Sequence, residues 1–222
     1  MSQEAKKFLA EMIGTFALVF FGAGAILQHQ VTQAVGITGI ALAHGIAILV
    51  CVYAFGHISG GHFNPAVTFG MLVTKRIRFS GAISYWIAQL AGACVAAWIL
   101  RTTYFGPTDA LLGALTLAPG ISPMKGMFLE AIMAFMLVIV IFGTAVDPRA
   151  PKGFAGLAIG LTLVGNILVG ASLTGAAFNP ARAFGPALMA GHWQDQWIYW
   201  VGPLLGGAIA ALLYDRMLLE RH

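Results

Sequence analysis

One stretch of this chain occurs twice. Residues 59–70 read Ser59-Gly-Gly-His-Phe-Asn-Pro-Ala-Val-Thr-Phe-Gly70, and residues 174–185 read Thr174-Gly-Ala-Ala-Phe-Asn-Pro-Ala-Arg-Ala-Phe-Gly185. Identities at Gly60/Gly175, Phe63/Phe178, Asn64/Asn179, Pro65/Pro180, Ala66/Ala181, Phe69/Phe184 and Gly70/Gly185 make seven of twelve positions the same at a constant offset of 115. Asn followed by Pro marks a helix start: the Asn side chain accepts from first-turn amides, and Pro has no amide there to lose. The apolar stretches that follow, Pro65–Val73 and Pro180–Ala190, are too short to cross a membrane. About ten helical residues span about 15 Å, half of a hydrocarbon core of about 30 Å. Each motif is therefore predicted to open a half-helix.

The surrounding composition fits that reading. Of 222 residues, 59% are hydrophobic and 9% charged, against about 25% charge in a soluble domain. So few charges cannot coat a water-facing surface. The net charge of +4 comes from scattered cations, which argues against a nucleic-acid partner. Long apolar runs at Phe8–Gln28, Gly36–Phe55, Gly81–Leu100, Gly126–Val146, Phe154–Ser172 and Trp197–Leu219 predict six spans. Lys6, Lys7, Lys75, Arg76, Arg78, Arg149, Lys152, Arg216 and Arg221 then fall on one side. By the positive-inside rule both termini are cytoplasmic; the expected location is a cell (inner or plasma) membrane. Trp193, Trp197, Tyr199 and Trp200 suit either the opposite interfacial belt or core packing.

The repeat extends beyond the motifs. Glu11 lies early in the first span and Glu130 early in the fourth. The chain reads as a single membrane channel domain, 1–222, built from repeats of about 1–102 and 120–222. Three spans per half is an odd number, so the second half must enter the membrane inverted. The expected fold is all-α: six transmembrane helices plus two re-entrant half-helices whose N-termini meet near the midplane. Re-entrant backbone at that depth is tolerated only where it lines a wet path. Asn64 and Asn179 would offer donors on that path, and each half-helix N-terminus adds about half a positive charge.

Paired Asn-Pro-Ala motifs in an inverted six-span repeat resemble the aquaporin (major intrinsic protein) family over nearly the whole chain. The resemblance also takes in Glu11 and Thr15, the Gly-His-Ile-Ser-Gly-Gly-His run at 56–62, and Asn-Pro-Ala-Arg at 179–182. It implies a passive, non-enzymatic channel without metal or cofactor, with water and small neutral solutes as cargo and ions and protons excluded, as in such pores generally. Its central constriction would be formed by Asn64, Pro65, Ala66, Asn179, Pro180 and Ala181. Glu11 and Glu130, otherwise candidate proton-relay acids, would accept amide bonds from the re-entrant loops, and His62 would line the path. A homotetramer is implied, with Gly207 and Ala211 as candidates for close helix contact.

The same resemblance assigns a selectivity filter to His44, Ile167, Ala176 and Arg182. That set is similar to the filters of tonoplast intrinsic proteins and ammonia-permeable aquaporins, in which His and Ile replace the Phe and His of water-strict members. It implies passage of ammonia and hydrogen peroxide beside water. A glycerol-type facilitator is the nearest alternative, but such proteins carry Asp where Ala183 stands and Pro-Leu where Tyr199-Trp200 stands. A proton-coupled transporter using Glu11, Glu130 and His44 is the more distant one.

Overall fold

The structure is a computed structural model and describes residues 1–104 and 111–220; Arg221, counted above among the same-side cations, lies outside them. Helices α1 (Gln3–Thr32), α2 (Gly36–Ser59), α3 (Pro65–Val73) and α4 (Phe79–Thr103) form the first half. The second half comprises α5 (Pro123–Ile141), α6 (Ala155–Thr174), α7 (Pro180–Ala190) and α8 (Ile198–Leu213). One π-helical turn extends α5 over Phe142–Val146, and another extends α8 over Tyr214–Leu218. Six of these helices are long and apolar enough to cross a membrane, in the positions expected. Several overrun the predicted ends, to where the chain is capped: Ser2 accepts from the Ala5 amide to start α1, and left-handed Gly60 and Gly175 close α2 and α6.

The half-helices start as the Asn-Pro pairs predict. The Asn64 side chain accepts from the Ala66 amide at 2.8 Å, and that of Asn179 from Ala181 and Arg182 at 3.0 and 3.2 Å.

Glycine sets the spacing of the bundle. A Cβ at Gly92 would collide with the Met12 carbonyl oxygen across α4 and α1, and one at Gly206 with the Ala131 carbonyl oxygen across α8 and α5. The α2–α6 crossing joins Gly45 and Gly160 in the same way. These contacts recur between the halves, as an inverted repeat requires. Gly207 packs on the Ala66 carbonyl and Ala211 is fully buried. Both therefore serve packing within the protomer rather than contact between copies. Tyr199 is likewise a core residue, fully buried, while Trp193 and Trp197 are exposed and Trp200 packs on Phe184.

At the end carrying most cations, Arg149 donates to both carboxylate oxygens of Asp147, and Tyr214 donates to Asp147 at 2.9 Å. These donors hold the Asp147 carboxyl well below the usual carboxylate range. Arg76 pairs with Asp215 at 2.7 Å and lies over the Phe142 ring.

Candidate functional site

The two loops that lead into α3 and α7 are anchored by one buried carboxylate each. Glu11 accepts from Ser59 Oγ at 2.7 Å and from the amides of His62 and Phe63 at 2.9 and 2.6 Å. Glu130 accepts from Thr174 Oγ1 at 2.6 Å and from the amides of Ala177 and Phe178 at 3.0 and 2.5 Å. Ser59 and Thr174 also accept, from the Gly61 and Ala176 amides, both at 3.1 Å. Tyr85 and Tyr199 donate to the Ser59 and Thr174 carbonyls, both at 2.6 Å. These bonds hold backbone that would otherwise relax, since Phe63 and Phe178 sit at φ of 49° and 34°, a region costly for a bulky side chain.

The loops are also tied to each other. Asn64 Nδ2 donates to the Phe178 carbonyl and Asn179 Nδ2 to the Phe63 carbonyl, both at 2.9 Å. Each amide thus spends one N–H on the opposite loop and keeps one. The Asn residues face the channel with half the donor capacity that free side chains would have.

A narrow cavity runs past this junction. Its walls include Leu18, Leu137, Ile48, Leu163, His44, His62, Asn64, Asn179, Ala176 and Arg182, and it leaves the centre of a water molecule about 20 Å³ to move in. That is little more than one water needs. Of the four filter residues, His44, Ala176 and Arg182 are brought to this cavity. Ile167 is not among its lining residues; it is buried in the apolar core, one turn from Leu163, which does line it.

Arg182 is almost fully buried. Its Nη1 donates to the Gly113 carbonyl at 2.7 Å, while Nε and Nη2 have no partner among the described residues. A buried guanidinium with two spare donors is costly unless something accepts from it. His44 has the opposite polarity. Its Nδ1 lies 2.8 Å from the Ile40 carbonyl, which can only accept, so Nδ1 carries a proton and in the neutral ring Nε2 is an acceptor. The sequence offered both a donor and an acceptor at His44; the backbone takes the donor.

His62 is tied into a polar cluster that the motifs do not reveal. Gln89 Nε2 donates to Glu11 and to Thr68 Oγ1, at 2.8 and 3.0 Å, and Thr68 Oγ1 lies 3.1 Å from His62 Nδ1. Gln89, a lone amide within an apolar span, was the available signal. Among the described residues no cluster of three or more His, Cys, Asp or Glu side chains could hold a metal.

This geometry can be set against known proteins. The model for the major intrinsic protein family matches residues 1–214. The chain belongs to that family. Similar relatives include probable aquaporin TIP3-2 of Arabidopsis thaliana, 45% identical over 95% of this chain and 83% of that protein. Aquaporin TIP4-4 of Zea mays is 41% identical over 96% and 86%. Among solved structures, the aquaglyceroporin from Plasmodium falciparum superposes with a TM-score of 0.86 at 25% identity, covering 97% of each chain. As a major intrinsic protein, this chain is a multi-pass membrane channel for water and small solutes and not an enzyme.

Proposed function

We propose that this aquaporin-family channel conducts water together with ammonia and hydrogen peroxide and excludes ions and protons. The observation that carries the proposal is the pairing, on one narrow cavity, of His44, whose Nδ1 is taken by a backbone carbonyl, with Arg182, a buried guanidinium whose Nε and Nη2 have no partner among the described residues. Water, ammonia and peroxide each donate and accept, so each can satisfy both walls. An ion finds a fixed positive charge and too little oxygen to replace its hydration shell. Asn64 and Asn179, each with one spare N–H beside a half-helix N-terminus, orient solutes at the junction and oppose cations. Pro65, Ala66, Pro180 and Ala181 shape that constriction, and Ala176 leaves the filter wide.

Proton coupling through Glu11 and Glu130 is disfavoured, because both carboxylates are fully buried, fully bonded and off the cavity wall. In the membrane, the cations at one end of the bundle support cytoplasmic termini. Faces rich in exposed apolar side chains, such as Ile46, Val50, Leu161 and Val169, leave room for lipid and for a homotetramer.

The test is stopped-flow light scattering on proteoliposomes with water, ammonia, peroxide and glycerol gradients in parallel. Flux linear in gradient and independent of a proton gradient is expected, with ammonia and peroxide above protein-free liposomes. Glycerol as the dominant solute would favour the facilitator reading that likeness to an aquaglyceroporin keeps in view. Saturating, proton-driven flux would overturn both.

A further inference from the structure

Gly22 lies in the middle of α1, buried, in ordinary helical backbone. Nothing in its conformation calls for glycine, and glycine inside a helix is destabilising relative to alanine. The three atoms nearest to a Cβ built there all belong to the His44 imidazole. That Cβ would overlap Nε2 and Cδ2 and stand 2.6 Å from Cε1. The ring occupies the volume that a side chain at position 22 would fill.

The repeat supplies an internal control. Lining residues Leu18 and Leu137 correspond at the offset that relates Glu11 to Glu130, and Ile48 and Leu163 at the offset of the Asn-Pro-Ala motifs. By the same offsets Gly22 corresponds to Ile141 and His44 to Ile159, and both isoleucines line the cavity. The fold therefore accepts a full side chain at the position of Gly22 when the facing residue is aliphatic. Glycine stands there together with histidine.

We infer that Gly22 is a specificity-determining position, which seats the His44 imidazole against α1 so that it lines the solute path without filling it. This deepens the filter reading above and rests on it. A methyl group at position 22 pushes the ring off its bond to the Ile40 carbonyl and into the cavity. The path narrows, and the acceptor opposite Arg182 is lost. Gly22 touches no solute; it is a positioning residue acting through His44.

The test compares Gly22→Ala, His44→Ala and the double variant in proteoliposomes, reading ammonia-to-water and peroxide-to-water permeability ratios rather than flux alone. Gly22→Ala should lower the peroxide ratio on the order of tenfold, the scale of one methyl group in a tight pocket. In the His44→Ala background the same change should have no further effect. A purely structural role would scale all solutes alike and add to His44→Ala. Should Gly22→Ala fail to fold, recovery of folded protein in the double variant supports the inference, and no recovery overturns it. If His44→Ala moves the ratios while Gly22→Ala does not, only the Gly22 inference falls. If His44→Ala leaves every ratio at its wild-type value, the filter reading falls and this inference with it.

Discussion

Position by position, the loop before α3 and the loop before α7 carry the same bonds except two: Gln89 also donates to Glu11, and the Arg182 amide also donates to Asn179. The amide bonds to the two Asn side chains differ most, at 2.8 Å for Ala66 and 3.0 Å for Ala181, and the cross-loop Asn bonds are both 2.9 Å. The residues around those bonds have diverged. His62, Thr68 and Gln89 form a polar cluster on the first loop, and the second has Ala177, Ala183 and Pro203 at the corresponding places. Arg182 stands where the first loop has Val67, and His44 where the second half has Ile159. Groups that hold the backbone are shared, because two re-entrant loops face the same problem of buried amides. The groups proposed for the filter differ, because a filter is needed once along a path.

The shared part can be broken most severely. Glu11→Ala or Glu130→Ala leaves at least three buried donors without an acceptor, each costing about 1–3 kcal/mol. Neither variant should yield monodisperse protein in mild detergent. Normal folding of one alone would break the equivalence of the two anchors.

The divergent part comes next. Arg182→Val gives the second loop the first loop's residue. It should raise proton and ion leak on the order of tenfold or more, about 1.4 kcal/mol of lost barrier, while water flux persists. A pH-sensitive dye inside proteoliposomes reads the leak, and unchanged leak would tell against Arg182 as the charge barrier.

A smaller, matched effect tests the symmetry itself. Tyr85→Phe and Tyr199→Phe each delete one hydrogen bond to a loop carbonyl, worth about 1 kcal/mol. Denaturant titration in detergent should find the two losses equal within about 0.5 kcal/mol.

The smallest effect lies outside the repeat, at Asp147. Its folded pKa is depressed by Arg149, so its contribution to stability is complete above the ordinary aspartate value of about 3.9 and is lost as pH falls below it. Thermal unfolding should be insensitive to this group between about pH 5 and 8. The wild type should lose more stability on acidification than Asp147→Asn.

What could be read from sequence follows the same division. Asn64, Asn179, Glu11 and Glu130 stood out because repetition marks them, and the spans because a membrane demands length and apolarity. Tyr199 was open between an interfacial belt and the core because its partner, the Thr174 carbonyl, is a backbone atom that no motif encodes. The polarity of His44 depends on the Ile40 carbonyl and the spare donors of Arg182 on Gly113. Both are backbone contacts, invisible to residue type. The filter place of Ile167 rests on family position alone; Leu163, one turn away on α6, lines the cavity.

The ammonia-to-water permeability ratio of wild type against the double variant His44→Phe with Ile167→His tests the filter most directly. Phe removes the imidazole acceptor of His44, and His at position 167 introduces a polar group into the apolar core beside the cavity-lining Leu163. The account predicts a ratio lower on the order of tenfold in the double variant, about 1.4 kcal/mol of barrier, with water flux retained. A double variant that carries ammonia relative to water as well as wild type does would contradict it.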